Sequence, residues 1–146
     1  MKKEVVGLAT GCYDILHIGH VHFLKEAKKH CGKLLVGINS DRVVKEVKGQ
    51  DRPINKQSYR KEVLETLKPV DEVFIFDSWL IKPIVEKIRP DILFIPEGSP
   101  GEKTISGVAK RYRAKLIKIP LHKCYLENVS TSGVLERILN KNDTKN

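Results

Sequence analysis

The chain has 146 residues, 40% hydrophobic and 31% charged, with a formal net charge of +9 at pH 7, which predicts one globular domain with a basic surface. No apolar run approaches the roughly 20 residues of a transmembrane helix, and no signal peptide is recognisable, so we expect no membrane partner. The lysines are scattered without interleaved aromatic residues, so we expect no nucleic-acid partner and interpret the charge as complementary to an anionic small molecule.

Short apolar runs alternate with amphipathic segments along the chain. The runs are five or six residues long and apolar throughout, which is typical of parallel strands buried on both faces. The sequence therefore predicts one α/β domain over residues 1–139, with a five-stranded parallel sheet and helices on both faces, and a polar tail over 140–146. In chain order the predicted elements are strand Glu4–Thr10, helix Val21–Lys29, strand Lys33–Ile38, a short helix capped by Asn39-Ser40-Asp41 and ending at Val47, helix Gln57–Leu67, strand Glu72–Phe76, helix Leu80–Ile88, strand Asp91–Pro96, helix Glu102–Tyr112, strand Lys115–Pro120 and helix Thr131–Leu139.

Three cysteines, Cys12, Cys31 and Cys124, occur without a Cys-x-x-Cys pair. An odd number at these spacings disfavours a disulfide framework and predicts a reducing, cytoplasmic environment. Cys31 falls on the same helical face as Leu24 and Ala27, so we expect it to pack in the core.

The segment TGCYDILHIGH, at positions 10–20, carries the strongest functional signal. It follows the first predicted strand and leads into the first predicted helix, an arrangement that directs backbone N–H groups and the helix dipole at an anion. His17 and His20 add side-chain donors at the same point. We therefore predict a phosphate site beyond the carboxyl end of the first strand.

Metal binding is an alternative interpretation of the same histidines. His17, His20 and His22 crowd together, and His122 and Cys124 lie elsewhere in the chain. No carboxylate or thiol stands near them at a spacing typical of zinc sites, so we predict no metal held by these side chains.

Residues 11–21, GCYDILHIGHV, resemble the signature Gly-x-Phe-Asp-x-Leu-His-x-Gly-His of the HIGH-motif nucleotidylyltransferases, the cytidylyltransferase-like superfamily. Tyr13 takes the Phe position. The resemblance implies a Rossmann-like fold with strand order 3-2-1-4-5, a nucleoside triphosphate substrate with Mg²⁺, and catalytic roles for His17 and His20. The nucleotide-binding residues that it implies in this segment are Thr10, Gly11, Cys12, Tyr13, Asp14 and Gly19.

A second motif, KGQDRP at positions 48–53, lies in a polar loop that composition alone would assign to solvent. With Asn39-Ser40-Asp41, Arg60 and Val70-Asp71 it resembles the adenylyltransferase part of ADP-heptose synthases. A lysine in this loop and an arginine on the next helix neutralise phosphates in the superfamily, so the resemblance implies that Lys48 and Arg60 are catalytic. Cytidylyltransferases for glycerol-3-phosphate, ethanolamine-phosphate and choline-phosphate share less of the loop, so we expect ATP as the donor.

A third motif, Ser130-Thr131-Ser132, opens the last predicted helix. Hydroxyls there are ordinary N-caps. They also resemble the family's Ile-Ser-Thr-Thr/Ser motif, which implies that all three residues bind the β- and γ-phosphates. Gly133 departs from that pattern, which has a larger residue. Glu97-Gly98-Ser99 departs too, because relatives carry a Gly-rich segment ending in Asp near the base and ribose, and this bears on the choice of nucleotide.

The implied reaction is attack of a phosphate monoester on the α-phosphorus of the nucleoside triphosphate, with pyrophosphate leaving. The attacking phosphate has a second pKa of about 6, so it is ionised at pH 7 and needs no general base. Catalysis then consists of positioning and of a positive field from His17, His20, Lys48, Arg60 and Mg²⁺. We expect a sugar phosphate as acceptor, as in lipopolysaccharide core biosynthesis, and the resemblance implies a homodimer.

Other functions on the same scaffold form the alternatives. A CTP-dependent glycerol-3-phosphate cytidylyltransferase and an FMN adenylyltransferase would share these motifs, and a nucleotide-binding module without turnover would keep the same pocket. The presence of His17, His20, Lys48 and Arg60 together argues against the module. A class I aminoacyl-tRNA synthetase fragment shares His-x-Gly-His, but the chain is too short and has no Lys-Met-Ser-Lys-Ser-like segment.

Overall fold

Strands and helices alternate along the chain in the computed structural model, which describes residues 2–121 and 130–143. His122 and Cys124, considered above as metal ligands, lie outside the described residues, as does the end of the predicted tail. None of the helices in the described part combines the length and the apolar character of a transmembrane span. The elements are β1 (Val6–Gly11), α1 (Ile18–Lys28), β2 (Lys33–Asn39), α2 (Asp41–Lys48), α3 (Gln57–Glu65), β3 (Glu72–Phe76), α4 (Lys82–Ile88), β4 (Ile92–Pro96), α5 (Glu102–Tyr112), β5 (Lys115–Ile119) and α6 (Thr131–Asp143).

The strands of the described residues form one parallel sheet in the order β3-β2-β1-β4-β5. β1 lies at the centre and pairs with β2 and β4, so that Ala9 stands opposite both Val36 and Phe94. Since every ladder is parallel, the carboxyl ends of all these strands meet at one edge of the sheet. The predicted Rossmann-like α/β fold, with its strand order, is confirmed.

Helices cover both faces of the sheet. Consecutive residues of a strand point to opposite faces, so they contribute to two different core clusters. Ala9 belongs to a core cluster that includes Leu24 of α1, and Leu8 belongs to a second cluster that includes Val85 of α4. Cys31 packs against the first of these clusters, as predicted. Strands that are buried on both sides account for the apolar runs in the sequence.

Two helix boundaries differ from the prediction by more than two residues. α1 begins at Ile18 rather than Val21, because His17 acts as the N-cap and brings the intervening residues into the first turn. α6 continues to Asp143 beyond the predicted end at Leu139. The added turn is polar but holds neither Pro nor Gly, and polarity alone does not end a helix.

Gly7 in β1 leaves no room for a side chain. A Cβ there would lie 2.4 Å from Phe94 Cε2 and 2.9 Å from Cys31 Sγ. We expect Gly7→Ala to lower the free energy of unfolding by about 1–3 kcal/mol, the usual cost of overpacking a core. Urea unfolding followed by circular dichroism measures the change.

Gly107 provides the matched control. It lies within α5, and nothing stands within 4 Å of the position that its Cβ would occupy. We expect Gly107→Ala to stabilise the protein by up to about 1 kcal/mol, because alanine is the better helix former. Equal and small effects of the two substitutions would contradict the packing described for β1.

Candidate active site

The segment between β1 and α1 lies at the carboxyl edge of the sheet, where parallel α/β sheets bind ligands. Tyr13, within this segment, has a φ of 49°, a left-handed conformation that is unfavourable for a bulky residue. Its ring is buried in the core, with its centroid 5.0 Å from that of His20. Gly11 permits this packing, since a Cβ there would lie 3.0 Å from Tyr13 Cε2. Tertiary packing therefore maintains an unfavourable backbone conformation at the predicted phosphate site.

His17 and His20 stack on each other at the start of α1. Their ring centroids are 3.7 Å apart, with an interplanar angle of 21°. His17 Nδ1 accepts a hydrogen bond from the Gly19 N–H at 3.1 Å, and His20 Nδ1 accepts one from the His17 N–H at 3.4 Å. The two side chains thus cap the helix reciprocally, in the manner of a capping box. The N–H of Gly19, one of the predicted nucleotide-binding residues, is engaged in this cap.

Both histidines are neutral at pH 7. Burial lowers the pKa of His17, and burial together with the proximity of His17 and Lys48 lowers the pKa of His20 to about 3. Because each Nδ1 accepts a hydrogen bond, the bonding pattern assigns the proton of each ring to Nε2, where it forms a donor. The described structure thus presents these histidines as neutral N–H donors, whereas from the sequence we expected them to contribute positive charge.

Lys48 is the last residue of α2, and its side chain is exposed. Gly49 follows with a φ of 104°, a left-handed conformation that glycine adopts without strain. The Lys48 charge is near enough to His20 to lower the pKa of that residue. The fold thus brings together residues predicted from two separate motifs.

Arg60 lies inside the protein, and this corrects the prediction that it neutralises a substrate phosphate. Its side chain is fully buried and pairs with Asp41 Oδ1 through Nη2 at 2.9 Å. Nε donates to the Asn55 carbonyl at 3.0 Å, Nη1 to the Cys12 carbonyl at 2.6 Å and Nη2 to the Asn39 carbonyl at 2.9 Å. A guanidinium that is bonded to four protein oxygens is not presented to a phosphate; it joins the loops around the site.

Asp14 connects the loop over residues 49–55 to the histidine turn, by which we mean residues 12–20. Its carboxylate accepts hydrogen bonds of 2.9 Å from Arg52 Nε and from the N–H groups of Ile54 and Asn55. Burial raises the pKa of Asp14, but the hydrogen bonds from Asn55, Ile54 and Arg52 outweigh burial and hold the pKa below its usual value. The carboxylate of this predicted nucleotide-binding residue is therefore bound by other residues of the protein.

The start of α6 lies beside the histidine turn, as a shared phosphate site requires. Thr131 Oγ1 donates to the Ile15 carbonyl at 3.4 Å. Ser130 Oγ accepts a hydrogen bond from the Gly133 N–H at 2.9 Å, which is the ordinary N-cap arrangement, and Ser132 is exposed. The third motif is thus next to the first, with the Ser130 hydroxyl engaged in capping.

Four residues of this region have no role in the site predicted from the sequence, although the first three belong to the second motif: Asn39, Asp41, Arg52 and Asn55. Asn39 ends β2, and its Oδ1 accepts a hydrogen bond of 3.7 Å from the thiol of Cys12, which follows Thr10 and Gly11 at the end of β1. In the sequence, Asn39 and Asp41 could be found as polar residues that follow an apolar run. Arg52 and Asn55 contact Asp14 across 38 and 41 positions, which no local pattern records.

Residues 2–121 and 130–143 contain no group of three His, Cys, Asp or Glu side chains that could hold a metal ion. Mg²⁺ prefers oxygen ligands and binds proteins through one or two carboxylates together with phosphate oxygens. Asp14, the carboxylate of the turn, already accepts hydrogen bonds on both oxygens. The carboxylate of Asp14 is therefore already engaged by Arg52, Ile54 and Asn55.

Residues 8–137 match the model of the cytidylyltransferase-like family. The chain is also similar to the bifunctional protein HldE of Campylobacter concisus (strain 13826), with 42% identity over 146 residues, covering 99% of this chain and 29% of that protein. For HldE of Campylobacter fetus subsp. fetus (strain 82-40) the identity is 40% over 129 residues, covering 88% and 27%. The chain thus spans less than a third of these curated relatives.

Solved structures agree with the fold. The crystal structure of the lipopolysaccharide core biosynthesis protein from Thermoplasma volcanium is 25% identical, with a TM-score of 0.70, and the match covers 83% of this chain and 98% of that one. Pantothenate synthetase from Thermus thermophilus is 11% identical, with a TM-score of 0.60, over 81% of this chain and 56% of that one, and shares the fold alone.

Asp14 makes stability depend on pH at the acid end. The pKa of Asp14 is lower in the folded than in the unfolded protein. The contribution of Asp14 to the free energy of unfolding is therefore complete above the pKa of the unfolded state, about 3.9, and is lost as pH falls through the pKa of the folded state. We expect the free energy of unfolding of the parent to fall between about pH 5 and pH 2, and Asp14→Asn to reduce that slope and to lower stability at pH 7. Chemical unfolding across this range measures both effects. Parallel pH curves for the two proteins would contradict the assignment.

Proposed function

The chain belongs to the cytidylyltransferase-like family, and we propose that it transfers a nucleotidyl group from ATP to a sugar phosphate, releasing pyrophosphate. The observation that carries this proposal is the stacked pair of neutral histidines at the N-terminus of α1, with the charge of Lys48 beside it. These groups offer hydrogen-bond donors and a positive charge, which are what an anionic substrate requires. At the level of the family, the enzyme class is nucleotidyltransferase.

In the proposed reaction, an oxygen of the acceptor phosphate forms a bond to the α-phosphorus of the nucleotide. The bond from that phosphorus to the bridging oxygen of pyrophosphate breaks, and pyrophosphate leaves with the electron pair. The Nε2–H groups of His17 and His20, the N-terminus of α1 and the Lys48 ammonium stabilise the negative charge that develops. Both histidines keep their protons throughout, and catalysis is positioning and electrostatic stabilisation.

ATP is the proposed donor because the Lys48-Gly49 and Arg52-Pro53 pairs resemble the adenylyltransferase part of ADP-heptose synthases. A sugar phosphate is the proposed acceptor for the same reason. The similarity to a lipopolysaccharide core biosynthesis protein supports this choice. The loop after β4, Glu97-Gly98-Ser99, departs from the family pattern, so CTP belongs in the test as the competing donor.

We propose that Mg²⁺ enters with the nucleotide. The phosphate oxygens of a triphosphate are the ligands that Mg²⁺ prefers, and the ion commonly binds through substrate phosphates and water. The ion would reduce the repulsion between the acceptor phosphate and the triphosphate.

We propose a reducing, cytoplasmic location, with neither nucleic acid nor membrane as a partner. Cys12 and Cys31 are free thiols, which supports the reducing environment. The basic residues are spread over several helices, which supports small anionic substrates.

The proposed function predicts pyrophosphate release with ATP and a sugar phosphate, in a screen of four nucleoside triphosphates against phosphorylated acceptors that include glycerol-3-phosphate and FMN. We expect His20→Ala to lower kcat by about 10²–10³-fold, the usual cost of removing one donor to developing charge, with KM for the nucleotide little changed. His30→Ala is the control, because His30 is exposed and lies two residues beyond the end of α1.

Three outcomes of that experiment would contradict parts of the proposal. Tenfold tighter binding of CTP than ATP, about 1.4 kcal/mol, would reverse the donor. Nucleotide binding without pyrophosphate release for any acceptor would favour a binding module. A kcat of His20→Ala within about threefold of the parent would mean that the catalytic centre lies elsewhere.

We also propose a homodimer, on the strength of the family resemblance. The expected result of light scattering at micromolar concentration is a mass twice the 16.6 kDa of the chain. A single species at the mass of one chain, at that concentration and above, would contradict it.

A further inference from the structure

Arg52 fastens the loop that follows Lys48 to the histidine turn. Its Nε donates a hydrogen bond of 2.9 Å to Asp14 Oδ2, three positions before His17. The ion pair is shielded from water, since the Arg52 side chain is 14% exposed and that of Asp14 is 1% exposed. Charges in such surroundings are little screened by salt, so the contact is a strong link between two segments that are distant in sequence.

The backbone of Arg52 extends this link to Lys48. The Arg52 N–H donates to the Gly49 carbonyl at 3.1 Å, and the Gly49 N–H donates to the Lys45 carbonyl at 3.0 Å, at the end of α2. Lys48 therefore stands on a segment that is held on one side by its helix and on the other by Asp14. Loosening the Arg52–Asp14 contact would free Lys48 to move relative to the histidines.

The ion pair with Asp14 leaves one nitrogen of the Arg52 guanidinium without a partner among the described residues. Arg52 Nη2 is enclosed and has no hydrogen-bond partner in the described structure. An enclosed donor without a partner is unfavourable, and replacement of a buried ion pair by apolar residues is often neutral or stabilising. The benefit of the ion pair is a fixed geometry between the loop and the turn.

We propose that Arg52 is a positioning residue for nucleotidyl transfer, which acts through Asp14 to fix the loop after Lys48 relative to the turn that carries His17 and His20. This inference rests on the proposed function. In this role Arg52 acts without contacting the nucleotide. Because displacement of a stabilising group by about 1 Å can cost about 10²-fold in rate, Arg52 governs kcat rather than the binding of the nucleotide.

A double-mutant cycle between Arg52 and Lys48 tests this proposal. We expect Arg52→Ala to lower kcat by about 10-fold or more, with KM for ATP within about threefold of the parent. Lys48→Met should lower kcat strongly in the parent but add little in the Arg52→Ala background, because Lys48 is already displaced there. Arg42→Ala is the matched control, since Arg42 is an exposed arginine of α2 paired with Glu46 and Asp77.

Arg52→Lys tests whether a fall in kcat comes only from a loss of folding. It keeps the positive charge opposite Asp14 but lacks the planar guanidinium, so we expect a melting temperature close to that of the parent together with a reduced kcat. Multiplicative effects of Arg52→Ala and Lys48→Met would overturn the proposal. A rise in KM without a fall in kcat would also overturn it, since Arg52 would then bind the substrate directly.

Hydrogen exchange of the same proteins needs no turnover and separates this inference from the proposed function. We expect Arg52→Ala, but not Arg42→Ala, to speed exchange in residues 11–17 and 49–55 together, since Ile54 and Asn55 donate their N–H groups to Asp14. Unchanged exchange in either segment would overturn the link. A parent that is inactive with every substrate pair would contradict the proposed function, and the exchange measurement would still decide the link.

Discussion

The guanidinium of Arg60, enclosed by protein on every side, joins the segments from which the site is built. It donates to the carbonyls of Cys12 after β1, Asn39 at the end of β2 and Asn55 before α3, and it pairs with Asp41 at the start of α2. A buried cation is tolerated when it is paired and hydrogen-bonded, and loss of one partner leaves a charge uncompensated. The relative placement of three loops therefore depends on one side chain.

A second buried ion pair, Arg52 with Asp14, lies next to the first and acts on the same loops. The two ion pairs are connected through Asn55, because its carbonyl accepts a hydrogen bond from Arg60 and its N–H donates one to Asp14. Two arginines of a strongly basic chain are thus used to organise the site from within. Lys48 is exposed at the end of α2, and its positive charge contributes to the lowered pKa of His20.

The histidine pair illustrates how local bonding specifies a chemical state. Capping of α1 occupies both Nδ1 atoms, so Nε2 carries the proton in each ring, and burial keeps both rings neutral. A neutral N–H group stabilises charge through a directional hydrogen bond without contributing a full charge to ground-state binding. In the proposed reaction, such a donor raises the rate to the extent that it bonds more strongly to the transition state than to the bound substrate. The strained conformation of Tyr13 lies at the same turn, where packing maintains it.

The sequence by itself was sufficient to predict the α/β class, because strands buried on both faces must be apolar throughout and parallel strands need crossing connections. The anion site after β1 also comes from the sequence, and it stays a prediction. The family resemblance supplied the strand order. The internal position of Arg60, the partner of Asp14 and the neutral state of His20 were decided by the tertiary structure. A motif records residue types and spacing, whereas these properties depend on exclusion of water by segments far away in the chain. Arg60 meets Cys12 across 48 positions and Arg52 meets Asp14 across 38, and only the folded chain determines whether a cation at such a position faces a ligand or the interior.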